Sequence, residues 1–202
     1  MKNSHWNATE PDIKTIKNSF GNPINALSRT ETPAFIIRHA YNPNHCAELI
    51  ERFKHFGFMK DAHRSEADKR PRIDIGTSLG NLGSNPEKFF KHAKSTHLLF
   101  KFLFDGFDNP LHCIYRNLSE LCPGKNVRTA RENDGSKYGP AIIRIHYDGQ
   151  RYKPHIDHVV LRESRTKFSV HRFKHQFAGV LCLQNADASG PGAQSRLHQC
   201  LW

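Results

Sequence analysis

The sequence predicts an α+β fold, with helices in the first part of the chain and strands in the second. Two observations carry this expectation. Apolar residues recur at helical spacing between Cys46 and Leu121, whereas after Lys125 they fall into short runs punctuated by Gly and Asp. A length of 202 residues adds a third, since it suits one domain with an N-terminal extension.

Residues 1–32 are rich in Asn, Ser, Thr and Pro and read as a flexible N-terminal arm. Residues 33–202 read as a single domain, a helical layer over 43–124 followed by a β core over 125–202. Residues 34–37 predict a short strand. Asn44 predicts the cap of a helix on which Cys46, Leu49, Ile50, Phe53 and Phe56 share a face. Residues 57–83 predict a long loop around a strand at 72–75. Asn85-Pro86 is a helix start, a capping side chain followed by a proline whose missing N–H costs nothing at the first helical position. Phe89, Phe90, Ala93, His97, Phe100 and Phe104 then form one stripe. Asn109-Pro110 repeats the signal, Leu111, Ile114, Leu118 and Leu121 continue it, and Cys122-Pro123-Gly124 ends it. Strands are expected at 127–131, 141–147, 159–161, 167–173 and 177–184. A loop at 186–193 and one further strand within 195–202 complete the pattern.

Composition narrows the function classes. No apolar run approaches the roughly 18 residues that a membrane span needs, and the first residues lack the apolar core of a signal peptide. The expectation is a soluble cytoplasmic protein with no membrane partner. Five cysteines, an odd number with no CxxC pair, predict buried reduced thiols rather than a disulfide framework. A net charge of +11 raises nucleic acid or an anionic substrate as partners. The cations are scattered, however. Lys69 to Arg72 (KRPR) and the four cations between Arg162 and Arg172 are the densest groups, so a solvated basic surface is favoured over a nucleic-acid patch.

The chemistry concentrates between Ile142 and Val160, IIRIHYDGQRYKPHIDHVV. A buried strand leads through a turn to His155-Ile156-Asp157. Residues two apart in an extended segment point to one face, so this imidazole and carboxylate can grip a single ion. Joined by a second His, they would form the 2-His-1-carboxylate face that holds non-haem Fe(II) and leaves positions open. His171 and His175 at i, i+4, with Cys182, offer a zinc reading. Their segment alternates like a strand, which would set them about 13 Å apart.

With Tyr147 on the preceding strand, a Gly-containing loop, HxD, and the apolar run FAGVLCLQN about 20 residues later, residues 142–185 resemble the Fe(II)/2-oxoglutarate-dependent oxygenases, the prolyl-hydroxylase-like branch in particular. The resemblance implies a double-stranded β-helix of jelly-roll type from residue 125 onward, with the N-terminal helices packed on it. It implies His155 and Asp157 as iron ligands and Tyr147 as a hydrogen-bond partner of 2-oxoglutarate. It also implies Fe(II) and 2-oxoglutarate as cofactors and hydroxylation of a C–H bond of a small molecule or amino-acid side chain. Iron halogenases of the same broad family replace the carboxylate with Gly or Ala and so free a position for chloride. Asp157 occupies that position, which favours hydroxylation.

The family's distal His and its 2-oxoglutarate-binding Arg or Lys fall later than this chain extends, so the jelly roll is expected to be incomplete. His198 is the candidate third ligand, on a candidate strand 41 residues after Asp157; the alternative reading is an outward-facing strand residue. Missing strands would leave open sheet edges and invite self-association. Two other functions stand beside the oxygenase: a catalytically inactive truncated remnant of the family, and a basic nucleic-acid-binding protein.

Overall fold

The computed structural model describes residues 10, 12–59, 73–147, 150, 153–158, 165–185 and 197. Its elements run α1 (Ile13–Phe20), α2 (Pro23–Ser28), α3 (Pro43–His55), β1 (Ile73–Gly76), α4 (Leu79–Leu82), α5 (Pro86–Leu103), α6 (Pro110–Leu121), β2 (Ile142–Ile145) and a 3-10 helix at Ser169–Arg172.

One dipeptide starts four of these helices. Asn22-Pro23, Asn42-Pro43, Asn85-Pro86 and Asn109-Pro110 each place an extended Asn at the cap and a Pro in the first turn. The Asn side chains accept the N–H of Asn25 (3.1 Å), Asn44 (2.9 Å), Lys88 (3.0 Å) and Leu111 (2.9 Å). Each removes one orphan donor from a helix start. The α3 cap is therefore Asn42 and not Asn44, which donates to it.

Sequence composition suggested a loose arm over 1–32, yet residues 13–28 are helical. Asp12 caps α1 through the N–H of Lys14 and Thr15, Ile16 is fully buried, and Lys17 meets Glu120 of α6 at 2.7 Å. Two capped helices, α1 resting on α6 and α2 on α1, overcome a polar composition.

The sheet among the described residues is one antiparallel pair, with Ile73 opposite Ile145 and Ile75 opposite Ile143. These four isoleucines share the inner face. Asp74 and Arg144 oppose each other on the outer face, with an ion-pair distance of 3.7 Å. Gly76 ends β1 at φ 125°, where a Cβ would lie 2.7 Å from the Ala141 carbonyl oxygen, so the close approach of the two strands requires glycine.

The main core lies between this face and α3, α5 and α6. It contains Tyr41, Leu49, Phe53, Ile75, Phe100, Leu103, Phe104, Cys113 and Ile145. A second cluster stacks Phe89 and Phe90 of α5 on Tyr138 and Phe168, with ring centroids 5.1 to 6.0 Å apart. Arg52 ties α3 to the end of α5 by donating to the carbonyls of Leu103 (3.0 Å) and Asp105 (2.6 Å), with its guanidinium 4.1 Å from the Phe107 ring.

Several expected strands take other forms. Residues 34–37 are coil with a single bridge at Phe35, and 127–131 make only the bridge Arg131–Lys137. Residues 167–173 turn into the 3-10 helix, because Phe168 is anchored in the aromatic cluster and Glu132 accepts the Ser169 N–H at 2.9 Å. Residues 177–184 are coil: Gly179 lies against Leu118 and Ile114 of α6, and Leu181 and Leu183 rest on the main core. Their alternation is satisfied by packing rather than by a strand partner. The strands expected at 159–161 and within 195–202 lie outside the described residues. No helix among the described residues is long and apolar enough to cross a membrane.

Candidate metal centre

β2 delivers the chain to the site. Its inward isoleucines fix the strand, and the following Tyr147 packs against the main core. A turn closes behind it, with the Gln150 N–H donating to the Tyr147 carbonyl (3.1 Å) and the Tyr147 N–H to the Gln150 side-chain oxygen (3.0 Å).

Residues 153–158 run without strand pairing. His155 Nδ1 lies 2.8 Å from the Lys153 carbonyl oxygen. A carbonyl only accepts, so Nδ1 carries the proton, and in the neutral ring Nε2 carries the lone pair. Metal-binding histidines are oriented this way, one ring nitrogen held by a carbonyl and the other presented to the ion. Nε2 stands 3.6 Å from Asp157 Oδ2, and the two side chains are 40% and 57% exposed. Metal bonds to imidazole and carboxylate run about 2.1 Å, which sets neighbouring donor atoms about 3 to 3.5 Å apart. The pair therefore fits a single ion after a small side-chain rotation. His158 bonds instead to the Lys174 carbonyl at 3.4 Å, tying 153–158 to the coil beyond the 3-10 helix, and its buried Nδ1 has no hydrogen-bond partner.

The structure thus brings together His155 and Asp157 and places Tyr147 at the edge of the core. His198 lies outside the described residues. Among the described residues no third His, Cys, Asp or Glu completes a metal-holding set, the trio His171, His175 and Cys182 included. His171 sits on the 3-10 helix, and His175 stacks on Phe177 at 6.4 Å.

Two polar networks escaped the sequence reading. Thr77 Oγ1 lies 2.7 Å from His92 Nδ1 and 2.6 Å from Thr96 Oγ1, joining β1's exit to α5. Glu132 accepts from the Tyr138 hydroxyl and the Ser169 N–H. Burial, and then Glu132, pushes the Tyr138 hydroxyl up to about 12. Burial alone would raise Glu132, but the hydrogen bonds from Tyr138 and Ser169 outweigh it and hold the carboxyl below its ordinary value. The closing contacts of both networks come from distant parts of the chain, Thr77 on α5 and Ser169 on Glu132, which no spacing rule signals.

The thiols of Cys46, Cys113 and Cys122 are pushed up by burial, which disfavours the nucleophilic thiolate. Cys182, expected in a buried strand, is exposed; Cys200 lies outside the described residues. A cavity of about 360 Å³ opens between α5 and α6, with His97, Lys101, Phe107 and Asn109 in its lining, and neither His155 nor Asp157 borders it.

Residues 7–191 match the family model described as carrier-protein-independent halogenase WelO5. No curated protein and no solved structure matches the chain.

Proposed function

The chain belongs to the WelO5 family of carrier-protein-independent halogenases, Fe(II)/2-oxoglutarate-dependent enzymes of the oxygenase superfamily, and on that premise we propose that this member hydroxylates a C–H bond of a small molecule or amino-acid side chain rather than halogenating it. One observation carries the reading: a carboxylate, Asp157, stands within 3.6 Å of the lone-pair nitrogen of His155. In iron halogenases a Gly or Ala takes that place and chloride enters. Here the position is filled by an anionic oxygen ligand.

His155 and Asp157 would hold the iron. With both cofactors bound, the centre couples oxidation of 2-oxoglutarate by dioxygen, giving succinate and carbon dioxide, to insertion of the second oxygen atom into a C–H bond. The chain's own part is placement. The Lys153 carbonyl fixes the tautomer of His155. Tyr147, held by the Gln150 turn, is the residue proposed to meet 2-oxoglutarate. His198 is the proposed third ligand. A prolyl-hydroxylase-like arrangement and a jelly-roll core from residue 125 onward are part of the same proposal. They are supported by the order of β2, Tyr147, loop and HxD along the chain.

The test begins without a substrate. Anaerobic addition of 2-oxoglutarate to the Fe(II)-loaded protein should give a visible charge-transfer absorption, lost in His155→Ala. Incubation with small molecules and free amino acids in air and chloride should then give succinate and products heavier by one oxygen atom. Asp157→Gly should lose oxygen insertion. Chlorinated products from the unaltered protein would overturn the assignment.

The exposure of both ligands, with no third among the described residues, favours a second reading, a catalytically inactive relative. That reading requires weak metal binding and no succinate. The basic nucleic-acid binder requires affinity that falls steeply with salt.

A further inference from the structure

Helix α5 is the longest among the described residues, at 18 residues, and its two sides differ sharply. Phe89, Ala93, Thr96, Phe100 and Leu103 are buried. On the opposite side Lys91, Lys94, Leu98, Lys101 and Phe102 recur at the i, i+3, i+4, i+7 spacing of a single helical face, and all five are exposed. Leu98 is 66% and Phe102 57% exposed. Phe56, at the end of α3, extends the patch: it is 42% exposed and its ring lies 5.1 Å from that of Phe102. Among the described residues none of the three lysines is engaged in an ion pair. The nearest acids along the helix are Glu87 at its start and Asp105 beyond its end.

Single exposed apolar residues need no explanation, but a contiguous trio bordered by cations on one helix face does. Its shape is a narrow ridge, an i, i+4 pair with one ring beside it, which suits the grooves of another helix. Its charge excludes a second copy of this chain seated face to face, because the two-fold arrangement would set lysines against lysines.

We propose that this face of α5 is a docking surface for a protein partner that presents an acidic amphipathic helix. Leu98, Phe102 and Phe56 are the apolar anchors, and Lys91, Lys94 and Lys101 pair with the partner's carboxylates. The surface is built from residues apart from the metal centre, and its test stands or falls independently of the reaction.

The test is a fluorescence anisotropy titration of the full chain with a labelled synthetic helix, leucine on one side and glutamate on the other. A permuted peptide of identical composition and vesicles of phosphatidylglycerol are run in parallel. The segregated peptide should bind saturably, and the permuted one at least about tenfold more weakly. Leu98→Asp and Phe102→Asp should each weaken binding about tenfold, as loss of an interface anchor does. Lys94→Glu with Lys101→Glu should weaken it similarly and flatten its salt dependence. All four positions are exposed, and unchanged circular dichroism confirms that the variants fold. Equal affinity for both peptides, indifference to the apolar substitutions, or binding to the vesicles in place of the peptide would overturn the proposal.

Discussion

The four Asn-Pro helix starts allow a direct test of what holds the helical layer. In each, one asparagine oxygen accepts one backbone N–H, at 2.9 to 3.1 Å. Replacing a capping Asn by Ala removes that bond and leaves the donor to water, at a cost of about 1 kcal/mol. The caps sit on four different helices and share no partner, so their effects should add. Asn22→Ala, Asn42→Ala, Asn85→Ala and Asn109→Ala together should cost about 4 kcal/mol, a large part of the 5 to 15 kcal/mol that typically holds a domain folded. Urea unfolding reads this as a fall in midpoint at constant slope, and heating as a drop of about 2 to 4 °C per single substitution. Asn→Gly at the same positions should cost only a few tenths of a kcal/mol, because glycine also accepts the cap geometry. If Gly proved as damaging as Ala, or the fourfold variant lay within about 1 kcal/mol of the parent, the caps would not be what anchors these helices.

Other outcomes follow from single sites. Phe53→Ala empties a fully enclosed position in the main core and should cost about 3 to 5 kcal/mol in urea unfolding. Glu132 has its carboxyl lowered in the folded state, so its contribution is present above the ordinary carboxyl pKa and disappears as pH falls through the folded value. The stability gap between parent and Glu132→Gln should therefore be widest near neutrality and close in acid, as thermal melts across pH will show. Tyr147→Phe should leave the fold intact and raise, by about tenfold, the 2-oxoglutarate concentration that half-develops the charge-transfer absorption, the size expected for losing a hydrogen bond to a charged group. An unchanged titration would remove Tyr147 from the site.

Much of the helical layer was legible because its signals are local. Asn85-Pro86 and Asn109-Pro110 announce α5 and α6, and both helices begin at those prolines. The same dipeptide also starts α2 at Asn22 and α3 at Asn42. The polar run around the first hid Ile16 and Ala26, the buried contacts that make α1 and α2 worthwhile. The strand at residues 72–75 and the strand before HxD were also legible, through their isoleucines. What could not be read was anything decided across elements. Alternation in FAGVLCLQN is equally satisfied by a sheet or by the side of α6, and the chain takes α6. At the site, the two-residue spacing puts His155 and Asp157 side by side, and their side chains stand 3.6 Å apart. The Lys153 carbonyl that fixes the imidazole was invisible, because backbone acceptors carry no sequence signature.

The pairing of β1 with β2 joins Ile73 to Ile145, 72 positions along the chain, with α5 and α6 between them. Closing so long a ring costs chain entropy that only finished helices can offset, since they shorten the span and supply the apolar floor. A refolding chain should therefore recover its far-ultraviolet helical signal before β2 is seated, and the residues that β2 carries forward arrive later still. If His155 and Asp157 hold the iron, as proposed, affinity for ferrous iron would be a late event of assembly. A newly made chain would meet its metal only once nearly everything else is in place.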